Sequence, residues 1–158
     1  MRDSKYDTDF YAWANEQAAL IRSGRLDVAD LENIAEEIES LGKSERRELV
    51  SRLAVLLLHL LKWKYQPVGR SSSWETSTNV QRLAIEDHLS DNPSLKAQMP
   101  EVLRRAFRGA RLEAAGETKL LAAMFPECCE WSFDQIMNPD FWPNGPDEKE
   151  VPHARRQI

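Results

Sequence analysis

The sequence predicts an all-α fold: a four-to-five helix bundle around a central apolar helix, with a short C-terminal helix and an extended tail. Three observations predict it. Apolar residues recur at three- and four-residue spacing in successive segments. Cap residues and breakers bound those segments. No alternating apolar–polar run is long enough to build a sheet. The chain has 158 residues, 42% of them hydrophobic and 30% charged. That is enough apolar material for one core. The reading is a single helical domain over residues 1–143 and a tail over 144–158 that carries no periodic face and is expected to be disordered.

The first segment runs from Asp7 to Ser23, with Asp7 or Thr8 as cap and Gly24 as stop. Phe10, Trp13, Ala14, Leu20 and Ile21 share one face, and Gln17 within that stripe is expected to be a buried amide with a partner. The second segment, Asp27 to Leu41, buries Leu31, Ile34, Ala35, Ile38 and Leu41. Asp27, Asp30, Glu32, Glu36, Glu37 and Glu39 accompany them without a single Lys or Arg. The third runs from Ser44 to Tyr65, with Leu49, Leu53, Leu56, Leu57 and Leu60 as its main stripe. Val50, Val55, Leu58 and Leu61 extend apolar character around most of the helix, which marks it as the central one. Only Gly42 and Lys43 separate the second and third segments, which predicts an antiparallel hairpin with an acidic helix facing a basic one.

Pro67 and Gly69 then break the chain. Ser72 and Glu75 match a capping box that opens a helix to about Leu89. Asn92-Pro93 starts a further turn, and a helix from about Pro100 to Thr118 presents Val102, Leu103, Ala106, Phe107, Ala110 and Ala114. Met124-Phe125-Pro126 begins an extended stretch. Ser132 and Gln135 form a second capping box, opening a short helix to Met137. Phe141 and Trp142 are expected to pin the end of the chain to the body.

Charge and hydropathy exclude several function classes. The net charge of -5 argues against a general grip on nucleic acid. Arg104, Arg108 and Arg111 recur on one side of their helix without interleaved aromatics, the pattern of a solvated row. The longest uncharged apolar run, Leu53 to Leu61, falls far short of the ~20 residues that span a bilayer. The N-terminus has no apolar core of a secretory signal, so a cytoplasmic location is expected. Cys128 and Cys129 are adjacent, too tight for an unstrained bridge, and read as reduced thiols.

Chemistry-bearing residues are few. His59 interrupts the apolar run, and across the expected hairpin Glu36 or Glu37 would face it. A His59–Glu37 pair, with His88 nearby, is the one arrangement that could serve a metal-dependent or small-molecule enzyme. The Glu-x-x-His signature of such bundles is missing, and Glu86 stands two residues before His88, pointing elsewhere. No zinc motif or phosphate loop occurs, so neither metal nor cofactor is expected. Trp63 and Trp74 bracket the Pro67 loop, with Lys62, Gln66 and Arg70 beside them, and could line a recognition pocket for an anion.

Taken together, several stretches resemble a known family. They are Tyr6-Asp7-Thr8-Asp9-Phe10 through Trp13, and Leu31-Glu32-Asn33-Ile34-Ala35-Glu36-Glu37-Ile38-Glu39-Ser40-Leu41-Gly42. His59-Leu60-Leu61-Lys62-Trp63 with Tyr65-Gln66-Pro67, then Trp74, and Pro139-Asp140-Phe141-Trp142-Pro143 complete the set. The likeness is to the bacterial family catalogued as domain of unknown function 29, over about residues 6 to 143. It implies a small, all-helical, cytoplasmic protein and transfers no catalytic residue. Glu37, His59, Lys62, Trp63 and Gln66 are family-typical; with Arg70 and Trp74 they are the candidate binding residues. The expected function is a non-enzymatic module that acts through an unknown protein partner or a second copy of itself, with no membrane or nucleic-acid target.

Overall fold

In the computed structural model, which describes residues 4–144, every regular element is helical. Six α-helices follow in order: α1 (Lys5–Thr8), α2 (Phe10–Arg22), α3 (Leu31–Tyr65), α4 (Ser72–Asp91), α5 (Met99–Thr118) and α6 (Phe133–Met137). Short 3-10 turns at Pro67–Gly69, Pro93–Gln98 and Ala122–Met124 join them. No strand occurs among the described residues. Apart from residue 144, the expected tail lies outside them.

The expected hairpin does not form. Leu31 to Tyr65 is one helix of 35 residues. Gly42 makes no turn: among the described glycines, Gly24 is the one with a positive φ, at 74°. A glycine inside a helix costs about 1 kcal/mol relative to alanine. Leu41, Lys43, Glu45 and Arg46 around it are good helix formers, so continuity outweighs that cost. The acidic and basic stretches therefore follow one another in one helix, with no turn between them. Two smaller differences concern caps. The first segment is split at Asp9, whose side chain accepts from the Ala12 amide and starts α2. Ser71, not Ser72, caps α4 by accepting from the Trp74 amide at 3.3 Å.

The chain divides into two compact units at Ser44 and Glu45. The N-terminal unit holds α1, α2 and the first part of α3. Tyr6, Phe10 and Trp13 form an aromatic cluster with ring centroids 4.8, 5.4 and 5.9 Å apart. Asp30 is its polar hub. It accepts from Trp13 Nε1 at 3.1 Å and Asn33 Nδ2 at 2.8 Å, and its own amide donates to Gln17 Oε1 at 2.7 Å. Gln17 is thus the satisfied buried amide the pattern predicted. The Asn33 bond, with help from Trp13, holds the Asp30 carboxyl below its ordinary range against the opposing effect of burial. The Tyr6 hydroxyl donates to Glu37 Oε1 at 2.5 Å. That bond, with burial and the Glu37 charge, pushes the phenol up to about 12. Trp13 and Gln17 are the buried residues among those described in this unit. Leu31, Ile38 and Leu41 stay 52%, 63% and 69% exposed.

The C-terminal unit has a closed core. Leu49, Leu53, Leu56, Leu57 and Leu60 of α3 are fully buried. Ile85 and Leu89 of α4, Val102, Ala106, Ala110 and Ala114 of α5, and Ile136 of α6 join them in one cluster. The small side chains at every fourth position of α5 share one face and let its backbone approach closely. Each buried leucine contributes roughly 1.5–3 kcal/mol. The predicted capping box closes on α6: the Ser132 hydroxyl accepts from the Gln135 amide, and the Gln135 side chain accepts from the Ser132 amide.

Candidate functional site

Most of the candidate residues meet where α3 ends. The Gln66 amide donates to the Lys62 carbonyl at 2.8 Å, continuing the helical pattern one step. Pro67 and Gly69 then reverse the chain beneath the Trp74 ring. A β-carbon on Gly69 would lie 2.5 Å from Trp74 Cη2, so no larger residue fits without moving the ring. Lys62 Nζ sits 4.5 Å above the Trp74 centroid and forms an ion pair with Glu117 Oε2 at 2.7 Å. A cation over an indole face is attracted by its quadrupole.

Behind it two indoles lie together between two guanidinium groups. The Arg70 guanidinium lies 5.2 Å from the Trp63 centroid while its Nε donates to the Trp63 carbonyl at 2.8 Å. Trp63 and Trp142 rings are 4.5 Å apart. Arg82 is the second guanidinium, 5.2 Å from Trp142. Arg82 is buried, and it donates to the carbonyls of Ile136 at 2.9 Å, Phe141 at 2.8 Å and Pro139 at 3.4 Å. Burial pushes this guanidinium down to about 10, with Asp140 acting the other way. It stays charged at neutral pH. Trp142 therefore pins the end of the described chain, as its position predicted. Phe141 packs edge-on against Trp131 at 5.7 Å.

This arrangement clasps a segment and leaves little room for a ligand. Lys62, Trp63, Gln66, Arg70 and Trp74 are all half-buried and packed against protein groups. A recess of about 170 Å³ lies nearby, lined by Leu61, Lys64, Tyr65, Phe107, Pro126, Glu130 and Trp131. It includes none of the candidates, and its space is open to solvent with no enclosed room even for a water molecule.

Glu37 and His59 are not brought together. Both belong to α3, roughly six turns of helix apart. Glu37 accepts from Tyr6, and His59 Nδ1 lies 2.8 Å from the Val55 carbonyl of its own helix. The expected partnership across a hairpin is replaced by these local bonds.

Two features escaped the sequence reading. Arg82 gave no local signal, because its carbonyl partners follow 54, 57 and 59 residues later. Glu86, two residues before His88, is not its partner: α4 turns the imidazole toward Glu45 and Glu48 of α3. The i, i+3 spacing of those two glutamates was the available clue. Elsewhere, Arg104 and Arg105 both bind Glu101, and the Arg111 Nε is buried without a partner, so the arginine row is not uniform. Cys128 is exposed and Cys129 half-buried, both as free thiols. Burial pushes the Cys129 thiol up.

Fold and site together define an all-helical protein with one helix running through both units and an aromatic clasp at the C-terminal end. The chain belongs to the family described as Domain of unknown function DUF29, whose model matches residues 5–142. No curated protein and no solved structure matches it. Among the described residues, no helix is long and apolar enough to cross a membrane.

Proposed function

We propose that the protein is a non-enzymatic helical module that pairs with a second copy of itself through the N-terminal stretch of α3. One observation carries this reading. Leu31, Ile34, Ile38 and Leu41 repeat at three- and four-residue spacing, yet Ile38 and Leu41 are about two-thirds exposed. Such 3-4 spacing is the seam of paired helices. The N-terminal unit buries too little of its own to hold by a core, and units of about 40 residues commonly rely on association.

Charge selects the partner and its direction. The acids Glu32, Glu36 and Glu39 come first along α3, and Lys43, Arg46 and Arg47 follow. A parallel pair would set like charges side by side. An antiparallel pair of identical helices sets the acidic stretch of each against the basic stretch of the other, and its two-fold symmetry closes the assembly. The family resemblance supports a bacterial, cytoplasmic setting for it.

Analytical ultracentrifugation of the full chain across the micromolar range tests the reading. Wild type is expected to sediment as a concentration-dependent dimer. The Ile38→Glu/Leu41→Glu variant is expected to be monomeric with an unchanged helical circular dichroism spectrum, since both side chains already face water. A wild-type monomer throughout, or a dimer indifferent to these substitutions, overturns it.

A further inference from the structure

The geometry points to a divalent transition-metal site formed by Glu45, Glu48 and His88, within the C-terminal unit. Glu45 and Glu48 lie one turn apart on α3 and so project to the same side. His88 comes from α4 and is 8% exposed. One donor atom from each residue lies within 4.8 Å of the other two. Glu48 Oε2 lies 3.8 Å from His88 Nδ1, and Glu45 Oε2 lies 3.6 Å from Nε2 on the other side of the ring. The Glu48 Oε2 to Nδ1 spacing approaches the separation between donors that share one ion at 2.0–2.2 Å.

Two further observations separate this group from an ordinary cluster of surface acids. His88 Nε2 lies 2.8 Å from the Glu45 carbonyl oxygen. That acceptor places the ring proton on Nε2 and leaves the lone pair on Nδ1, the tautomer a metal requires. Nδ1 itself makes no hydrogen bond among the described residues, although the side chain is more than nine-tenths buried and turned to Glu48. The carboxylates are also held in place. Glu48 Oε1 receives Arg52 Nη2 at 2.8 Å and Nε at 3.1 Å, which leaves Oε2 toward the imidazole. Asn92 Nδ2 approaches Glu45 Oε2 at 3.5 Å while donating to the His88 carbonyl at 3.1 Å. Outer groups that orient first ligands in this way accompany metal sites.

One imidazole and two carboxylates suit Zn²⁺, Mn²⁺ or Co²⁺ rather than a thiolate-loving ion. Arg52 offsets one carboxylate charge, and the glutamates are half-exposed, so the ion keeps water in its remaining positions. Its effect is to tie α3 to α4 in the folded chain only, which stabilises by mass action.

The test uses the full chain in a Cys128→Ser/Cys129→Ser background, so that thiols do not compete, after dialysis against a chelator. Titration calorimetry with ZnCl₂ and with MnCl₂ is expected to show one saturable site per chain, and the melting temperature to rise with metal concentration. Added Co²⁺ should give visible bands of a nitrogen–oxygen site. Glu48→Gln and, separately, Glu45→Gln are expected to weaken binding at least tenfold while the metal-free spectrum stays that of wild type. His88→Ala should abolish the cobalt bands. Absence of saturable binding, or binding that both glutamine variants leave intact, overturns the proposal.

Discussion

Ile38 and Leu56 both belong to the apolar pattern of α3, one in each unit. Yet Ile38 is 63% exposed and Leu56 is fully buried. The two stretches of one helix have similar apolar spacing and opposite fates. In the C-terminal unit, α4, α5 and α6 supply residues that cover the stripe. In the N-terminal unit, α1 and α2 put their effort into polar and aromatic bonds around Asp30 and Glu37, and the stripe stays wet. The comparison teaches that periodicity identifies a face which can be buried, while the neighbours decide whether it is.

The largest expected effect sharpens that contrast directly. Leu56→Ala should cost about 2–5 kcal/mol in chemical denaturation, the range for truncating a buried leucine. Ile38→Ala should cost about 0.5 kcal/mol or less in the monomer. Equal losses at both positions would break the distinction between the units.

Next comes the clasp. Arg82→Ala removes a buried guanidinium from three carbonyls and from the Trp142 face. The loss should be roughly 3 kcal/mol, since each charge-assisted bond is worth about 1.5–3 kcal/mol and orphaned carbonyls add to the cost. Arg82→Lys should rescue little, because one ammonium cannot reproduce the planar fork. Tryptophan fluorescence during unfolding reads out both variants.

A smaller effect, of opposite sign, is expected at Gly42. A β-carbon there meets nothing within 4 Å. Gly42→Ala should therefore stabilise α3 by up to about 1 kcal/mol, visible as a raised thermal midpoint. A true turn at this position would give destabilisation instead.

The smallest effects are titrations. The Tyr6 phenol, raised from 10.0 to about 12 by Glu37, favours its protonated form in the folded chain. Its stabilising contribution is complete below pH 10 and disappears as pH climbs through 12. Phenolate absorbance should show one late-ionising tyrosine that Tyr6→Phe removes. At the other extreme of pH, bonds from Arg104 and Arg105 hold the Glu101 carboxyl at about 2. The contribution of that exposed group is present above 4.5 and fades as pH falls toward 2. An Arg104→Ala/Arg105→Ala variant should return its carbon-13 titration midpoint toward the ordinary value.

Much of this was legible beforehand, for physical reasons. The all-helical fold, the leucine core of α3, the Ser132–Gln135 box and the anchoring of Trp142 follow from periodicity, capping and aromatic burial, all local signals. The continuity of α3 was not legible. A Gly-Lys step fits either a turn or a helix interior, and the difference is about 1 kcal/mol, less than tertiary context supplies. Five of the candidate residues, from Lys62 to Trp74, do assemble, since they lie within a dozen positions. Their employment as a clasp depends on Arg82 and Trp142, which no local pattern links to them. His88 with Glu45 and Glu48 was hidden in the same way, by sequence separation.

The guanidinium of Arg82 also sets an order of events during synthesis. The ribosome makes it 54 to 59 residues before the carbonyls it will hold. At 5–20 residues per second that gap lasts roughly three to twelve seconds. For that interval a side chain destined for the interior lacks its three carbonyl partners. The buried bonds of Arg82 can close only once the segment carrying Trp142 has been made.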